Sequence, residues 1–135
     1  MGLVDWSAVM VAALSAFALG GVWYGPLFGE AKREYAPRIA EARRNKVVTL
    51  GTTLLLMLVS ATMLGHFFAR IGPVVLAQKP WLYAMQSGGV ALAFVVPALW
   101  TSYIHQRRPL RLALMDGGYW IASYLAMGAV FWALS

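Results

Sequence analysis

The chain passes from cations to a single carboxylate within the segment Arg107-Arg108-Pro109-Leu110-Arg111-Leu112-Ala113-Leu114-Met115-Asp116-Gly117-Gly118-Tyr119-Trp120. Pro109 favours the start of a helix, because its fixed φ suits the first helical turn. Asp116 is the only acidic residue in the sequence that falls inside a long apolar run. A carboxylate in such a run is costly and is usually functional. We therefore look in the rest of the chain for polar residues that could lie beside Asp116.

The composition predicts a membrane protein. Of the 135 residues, 61% are hydrophobic and 12% are charged, and the mean hydropathy is +0.67. A soluble domain has about half apolar and about a quarter charged residues. The apolar residues here fall into blocks of about 20, the length that a helix needs to cross the hydrocarbon core. The sequence predicts an all-α integral membrane protein with one domain, residues 1–135, and no separate soluble domain.

Four apolar blocks predict four transmembrane helices in a bundle, at about 4–25, 47–69, 81–104 and 110–134. Pro97 lies inside the third block and predicts a kink there. The connection 26–46 is the most charged part of the chain. It could form a short amphipathic helix on the membrane surface or stay a solvated loop, and the sequence supports both.

The distribution of cations predicts the orientation. Six cations lie in the loop after the first helix and three in the loop after the third, against two between the second and third helices. Because positively charged loops stay in the cytoplasm, we expect the basic loop 26–46 to be cytoplasmic. Both termini then lie on the non-cytoplasmic side (N-out/C-out) of a membrane that the chain crosses several times.

Several function classes are disfavoured by what the sequence lacks. It contains no cysteine and only two histidines, far apart, which argues against thiolate chemistry and against a metal site. Loop cations account for the net charge of +6, so nothing points to nucleic acid. No catalytic constellation or cofactor motif is present. We therefore predict no catalytic residue, cofactor or metal, and an enzyme is the least favoured class.

Depth in the membrane indicates which side chains can reach Asp116. At about 1.5 Å per residue, Asp116 lies in the cytoplasmic half of the bilayer, near polar groups of the other helices. Candidates for a ligand- or proton-binding site are Asp116, Tyr119, Trp120, Tyr24, Thr52 and Thr53. Further polar residues at this depth are Thr49, Thr101, Ser102 and Tyr103. The loop cations near the site are Arg108 and Arg111, and we expect either Arg108 or a neighbouring hydroxyl to bind Asp116.

Helical spacing places Asp116, Trp120 and Ser123 on one face, which we expect to point into the bundle. Four glycines are expected to let helices approach closely: Gly21, Gly25, Gly117 and Gly118. Asp116 itself has two interpretations that the sequence does not separate. It could exchange a proton for a substrate, or it could fix the packing of the fourth helix.

Two motifs resemble the bacterial membrane family called domain of unknown function 1761. One is Trp23-Tyr24-Gly25-Pro26-Leu27-Phe28-Gly29, and the other is Arg108-Pro109-Leu110-Arg111-Leu112 leading into Asp116-Gly117-Gly118-Tyr119. The resemblance spans nearly the whole chain. It implies a four-helix membrane protein and brings no established activity. The chain departs from similar proteins at Lys32-Arg33-Glu34-Tyr35, where a Trp is often found, and at Trp120, where a His is often found.

The predicted function is binding or translocation of a small solute or lipid by a homo-oligomer in the bilayer. The alternative is a structural or assembly protein in which Asp116 serves helix packing. A four-helix chain encloses little polar volume, so transport would need more than one copy.

Overall fold

The fold is that of a computed structural model, which describes residues 3–27 and 46–135, with side chains for 3–25 and 47–135. Every regular element within these residues is helical, so the predicted all-α class is confirmed. The helices are α1 (Trp6–Val22), α2 (Lys46–Ile71), α3 (Pro73–Gln78), α4 (Trp81–Val90), α5 (Val96–His105) and α6 (Leu110–Ala133). The surface helix considered for the connection 26–46 falls almost wholly outside the described residues.

Two π turns interrupt the long helices close to prolines. α1 continues into a π turn at Trp23–Leu27, which contains Pro26. A second π turn, Ala91–Val95, joins α4 to α5 just before Pro97. Proline has no N–H to donate and its ring crowds the preceding turn, and a widened turn accommodates both effects. The irregularity predicted at Pro97 takes this form.

α1 and α6 form the centre of the bundle, because α1 packs against both α2 and α6, and α4 packs against α6. α1 makes these contacts with small side chains. Ala8, Ala12 and Ala16 recur at every fourth residue and are at most 1% exposed, and Gly20 continues the row. Small residues let helix backbones approach closely in a membrane. This alanine row therefore fixes how α1 is rotated towards α6.

The end of the bundle opposite to Asp116 is closed by aromatic packing. Phe68 of α2 lies between Tyr83 of α4 and Phe131 of α6, with ring centroids 4.9 and 5.2 Å apart. At the same end Asp5 caps α1. Its carboxylate accepts hydrogen bonds from the Ser7 hydroxyl at 2.6 Å and the Ala8 backbone N–H at 3.1 Å. These bonds favour the charged form and lower the pKa of Asp5 below 3.8.

The described helices have the length and surface of membrane helices. Three stretches are long and apolar enough to cross a bilayer: Trp6–Gly25, Val47–Ile71 and Trp81–His105. α6 has 24 residues and carries Arg111 and Asp116 in its first two turns. Large apolar side chains such as Phe94, 72% exposed, cover the outside, where lipid is the favourable solvent. A fourth span and the N-out/C-out orientation remain predictions.

Candidate functional site

The carboxylate of Asp116 joins three helical segments. Its Oδ1 accepts a hydrogen bond from the hydroxyl of Tyr24, in the π turn after α1. Its Oδ2 accepts a hydrogen bond from the hydroxyl of Tyr103, near the end of α5. Asp116 lies in the second turn of α6 and is partly buried. Both carboxylate oxygens therefore have phenolic donors, and each donor comes from a different helix.

Two tryptophans bind the backbone of the same turn of α6. The indole N–H of Trp23 donates to the carbonyl of Met115 at 3.2 Å, and that of Trp100 donates to the carbonyl of Ala113 at 2.8 Å. An indole N–H in apolar surroundings needs an acceptor, and a carbonyl oxygen has a second lone pair beyond its helical bond. We call Trp23, Tyr24, Trp100 and Tyr103 around residues 113–116 the aromatic clasp.

The clasp is built from two similar arms. Trp23 and Tyr24 form one arm, and Trp100 and Tyr103 form the other. Each arm gives one indole N–H to a carbonyl and one phenol hydroxyl to the carboxylate. Each arm also lies in or after a π turn, whereas α6 runs from Leu110 to Ala133 without interruption. The donors Trp23 and Tyr24 thus sit in a π turn, whereas Trp100 and Tyr103 sit in the regular helix α5 that follows the other π turn.

Gly117 and Gly118 make room for the two tryptophans. A Cβ at Gly117 would lie 2.9 Å from Nε1 of Trp100, and a Cβ at Gly118 would lie 3.3 Å from Cζ2 of Trp23. The first distance is too short for real atoms, so an alanine there would displace the indole. The two glycines that precede Tyr119 therefore allow both arms to reach the backbone of α6.

Tyr119 and Trp120 lie beside the clasp in different ways. The ring of Tyr119 is 5.1 Å from that of Tyr24, and its hydroxyl donates to the carbonyl of Ala16 at 3.1 Å. Tyr119 is 5% exposed. Trp120 is only partly buried and packs between Tyr119 and Tyr124. The inward face of α6 is therefore rotated from the expected one, so that Tyr119 points into the bundle more fully than Trp120.

The neighbouring cations do not form an ion pair with Asp116. Among the described residues, its partners are the two phenols. The Arg108 guanidinium lies 5.1 Å from the ring centroid of Tyr103, and its Nε donates to the amide oxygen of Gln106 at 2.7 Å. Arg111 is exposed. Of the two expected partners of Asp116, the structure contains the hydroxyl and not Arg108.

Several other candidates lie away from this cluster. Thr53 donates to the carbonyl of Thr49 in its own helix at 2.8 Å, and Thr52 is exposed, so the structure does not bring either threonine to Asp116. Gly21 and Gly25 are exposed, and no described atom lies within 4 Å of a Cβ built there. Gly20 makes the close contact instead, since its Cβ would lie 2.9 Å from the Tyr119 hydroxyl.

Two grooves of the described chain lie away from Asp116. One, of about 560 Å³, lies along α2 between Leu55 and Arg70. The other, of about 320 Å³, lies between the start of α4 and the end of α6. No group of three His, Asp or Glu side chains that could hold a metal occurs within residues 3–27 and 46–135.

Sequence reasoning left Trp23, Trp100 and Tyr103 out of the candidate site. Tryptophans near span ends are usually assigned to the interface with lipid headgroups. The signal that identifies them is their pairing with tyrosine: Trp23 precedes Tyr24, and Trp100 lies three residues before Tyr103. A spacing of three puts Trp100 and Tyr103 on one face of a helix, whereas the adjacent residues Trp23 and Tyr24 point in directions about 100° apart.

The chain was compared with protein families, curated proteins and solved structures. The family described as "Protein of unknown function (DUF1761)" matches residues 7–132. Neither a curated protein nor a solved structure matches the chain.

Proposed function

The chain belongs to the DUF1761 family, and from that premise we propose that it binds a small solute at Asp116 and carries it across a bacterial inner membrane. In this proposal the protein is a homo-oligomer with four spans per chain. Both termini lie outside, and the clasp lies on the cytoplasmic side. Nothing in the proposal requires a cofactor.

The observation that carries the proposal is the set of partners around Asp116. A carboxylate at membrane depth usually pairs with a cation or marks a proton or substrate path. Here the described partners are two neutral phenols, so no arginine or lysine among them neutralises the charge. A proton or a cationic group of a solute can supply that neutralisation. Asp116 is partly exposed, which leaves it accessible to such a group.

Neutralising Asp116 would also change the helix contacts. A protonated carboxyl carries one O–H donor and has less acceptor capacity than the carboxylate, so it is a poorer acceptor for two phenol hydroxyls at once. One of the two tyrosines must then turn its hydroxyl or leave. Because each tyrosine lies in or after a π turn, its segment can move while α6 stays in place, and π turns often mark functional sites. Binding would thereby be coupled to the separation of one arm from α6.

The geometry of α6 supports a fourth span. A helix of 24 residues is about 36 Å long, more than the roughly 30 Å of a hydrocarbon core. The polar end that lowers its hydropathy is the end held by the clasp. We infer the homo-oligomer because one chain encloses little polar volume, and the two grooves described above do not reach Asp116. A path past this residue would then run between copies of the chain.

A second candidate is a purely structural role, and the same contacts favour it. Both oxygens of Asp116 are occupied, and two indoles bind the adjacent backbone. Such a clasp could serve only to hold α1, α5 and α6 together. In that case the protein would be an assembly or scaffold component of the membrane.

Native mass spectrometry of the gently solubilised protein separates the two roles, with wild type compared to Asp116→Asn. Asparagine keeps the shape, offers its carbonyl to one tyrosine and donates its amide to the other, so the fold should survive while the charge is lost. Asp5→Asn is the matched control, because it removes the described carboxylate at the opposite end.

Solute binding predicts a small molecule that wild type and Asp5→Asn retain and Asp116→Asn loses, with the oligomer unchanged. Release of that molecule from loaded vesicles would then test translocation. The same oligomer with only bulk lipid in all three proteins would reject solute binding and favour the structural role. Dissociation of Asp116→Asn into monomers would place Asp116 in subunit assembly.

A further inference from the structure

The turn between α5 and α6 exposes cationic and apolar side chains side by side. Arg107, Arg108 and Arg111 are all exposed. Next to them, Ile104 is 74% exposed and Leu110 is 68% exposed. A surface that combines guanidinium groups with large apolar side chains matches a ligand with a phosphate at one end and hydrocarbon at the other.

These arginines have no acidic partner among the described residues. The acidic residues in that part of the chain are Asp5 and Asp116. Asp116 binds the two tyrosines, and Asp5 caps α1 at the opposite end of the bundle. The side-chain hydrogen bond of Arg108 is to a neutral amide oxygen, that of Gln106, at 2.7 Å. The positive charge of the turn is therefore available to an external anion.

The position of the turn selects the kind of anion. It directly follows the apolar stretch Trp81–His105, so it lies where lipid phosphates meet the end of a membrane helix. Arg108 is held against the ring of Tyr103, with 5.1 Å between the guanidinium carbon and the ring centroid. Such a cation–π contact orients a planar guanidinium, which can then bind two phosphate oxygens at once.

We propose that the turn formed by residues 104–111 binds the headgroup of an anionic phospholipid. Arg107, Arg108 and Arg111 contact the phosphate, and Ile104 and Leu110 contact the start of the acyl chains. The proposal does not depend on a solute at Asp116. It concerns a different group of side chains, and Arg108 links the two regions only through Tyr103.

The test measures lipid preference by native mass spectrometry, with phosphatidylglycerol and phosphatidylcholine present in equal amounts. The double variant Arg107→Gln/Arg108→Gln removes two charges from the turn. The matched control Arg70→Gln/Lys79→Gln removes two exposed charges from the other described connection. A cation near an anionic lipid surface changes binding by about fivefold, so the turn variant should lose at least about fivefold of the wild-type preference for phosphatidylglycerol. The control should keep it.

The proposal is overturned if the turn variant loses less of the preference for phosphatidylglycerol, or if the control loses as much. Either result would mean that the lipid responds to the overall positive charge and not to a specific site. Displacement of the retained lipid by excess inorganic phosphate would also overturn it, since the apolar side chains would then contribute nothing. If the double variant does not fold, the single variant Arg107→Gln replaces it and Arg70→Gln is its control. Arg107→Gln should lose about fivefold of the preference for phosphatidylglycerol, and an equal loss in Arg70→Gln would overturn the proposal.

Discussion

Removing the hydroxyls of Tyr24 and Tyr103 together should lower the free energy of unfolding by more than the sum of the two single losses. The variants are Tyr24→Phe, Tyr103→Phe and the double change, which keep the rings and delete only the donors to Asp116. With one hydroxyl left, we expect a loss of about 1.5 kcal/mol in the free energy of unfolding. That value lies at the lower end for hydrogen bonds to charged groups and near the upper end for bonds between membrane helices.

With both hydroxyls gone, the carboxylate has no described donor. A partly buried charge that loses its partner typically costs about 3–5 kcal/mol. The double variant should therefore lose about 4 kcal/mol, roughly 1 kcal/mol beyond the sum of the single losses. This excess measures the sharing of one carboxylate by two helices.

The measurement is reversible unfolding by sodium dodecyl sulfate in mixed micelles, followed by far-ultraviolet circular dichroism at neutral pH. Tyr124→Phe is the matched control, because its hydroxyl donates to the neutral Ser60 hydroxyl at 3.1 Å, and it should lose less than about 1 kcal/mol. The reasoning is refuted if the two clasp losses simply add, or if neither exceeds the loss of the control.

Three further predictions follow from particular contacts. Gly20→Ala should lower the free energy of unfolding by about 1–3 kcal/mol, because its Cβ would lie 2.9 Å from the phenol oxygen of Tyr119. Gly21→Ala, whose Cβ would meet no described atom, should leave it unchanged. Equal effects in the unfolding assay would contradict the observed rotation of α1. Gly128→Ala should destabilise the fold more than Gly89→Ala, because a Cβ at Gly128 would lie 2.8 Å from the backbone carbonyl oxygen of Tyr83, which cannot move aside. The yield of folded protein and the midpoint of unfolding both measure this difference. Asp5 has a lowered pKa in the folded state, so the stability that its cap contributes is present above the ordinary pKa of 3.8 and is lost as the pH falls through the folded pKa. Hydrogen-exchange protection of the first turn of α1 should therefore fall in that acidic range. Unchanged protection there would show that the cap contributes nothing.

The sequence predicts the fold class of the protein more directly than it predicts the residues of the candidate site around Asp116. Apolar blocks fix which segments are long membrane-type helices, because length and hydropathy are local properties. α6 is the instructive exception. α6 carries Arg111 and Asp116 in its first two turns and is not among the three stretches that meet the length and hydropathy requirement, although the apolar block 110–134 predicted it as a span.

The rotation of each helix is what sequence reasoning did not establish. Depth left both Arg108 and a neighbouring hydroxyl as possible partners of Asp116, and depth alone does not distinguish Tyr103 from the threonines of α2. Glycine spacing pointed to Gly21 and Gly25, one residue away from the row that α1 buries. That row was visible in the sequence as Ala8, Ala12, Ala16 and Gly20 at intervals of four residues. Small residues other than glycine carry the same packing information.

The short helix α3 shows a different limit. Residues 70–80 fall between the predicted helices 47–69 and 81–104, and within them the structure has a short helix at Pro73–Gln78. Gly72 has a φ of 94°, which glycine adopts without strain. Proline is acceptable at the first helical position, where no N–H is needed. The same dipeptide therefore ends one helix and begins the next.

The arrangement of the clasp has a consequence for the order of events during synthesis. Tyr24 and Asp116 are 92 residues apart, so at about 5–20 residues per second the ribosome needs roughly 5–18 s between them. Throughout that interval the arm formed by Trp23 and Tyr24 is in the membrane without its acceptors on α6. A nascent chain that stalls before α6 inserts lacks the hydrogen bonds from Trp23 to Met115 and from Tyr24 to Asp116. These two bonds form only when α6 takes its place, so they distinguish finished chains from unfinished ones.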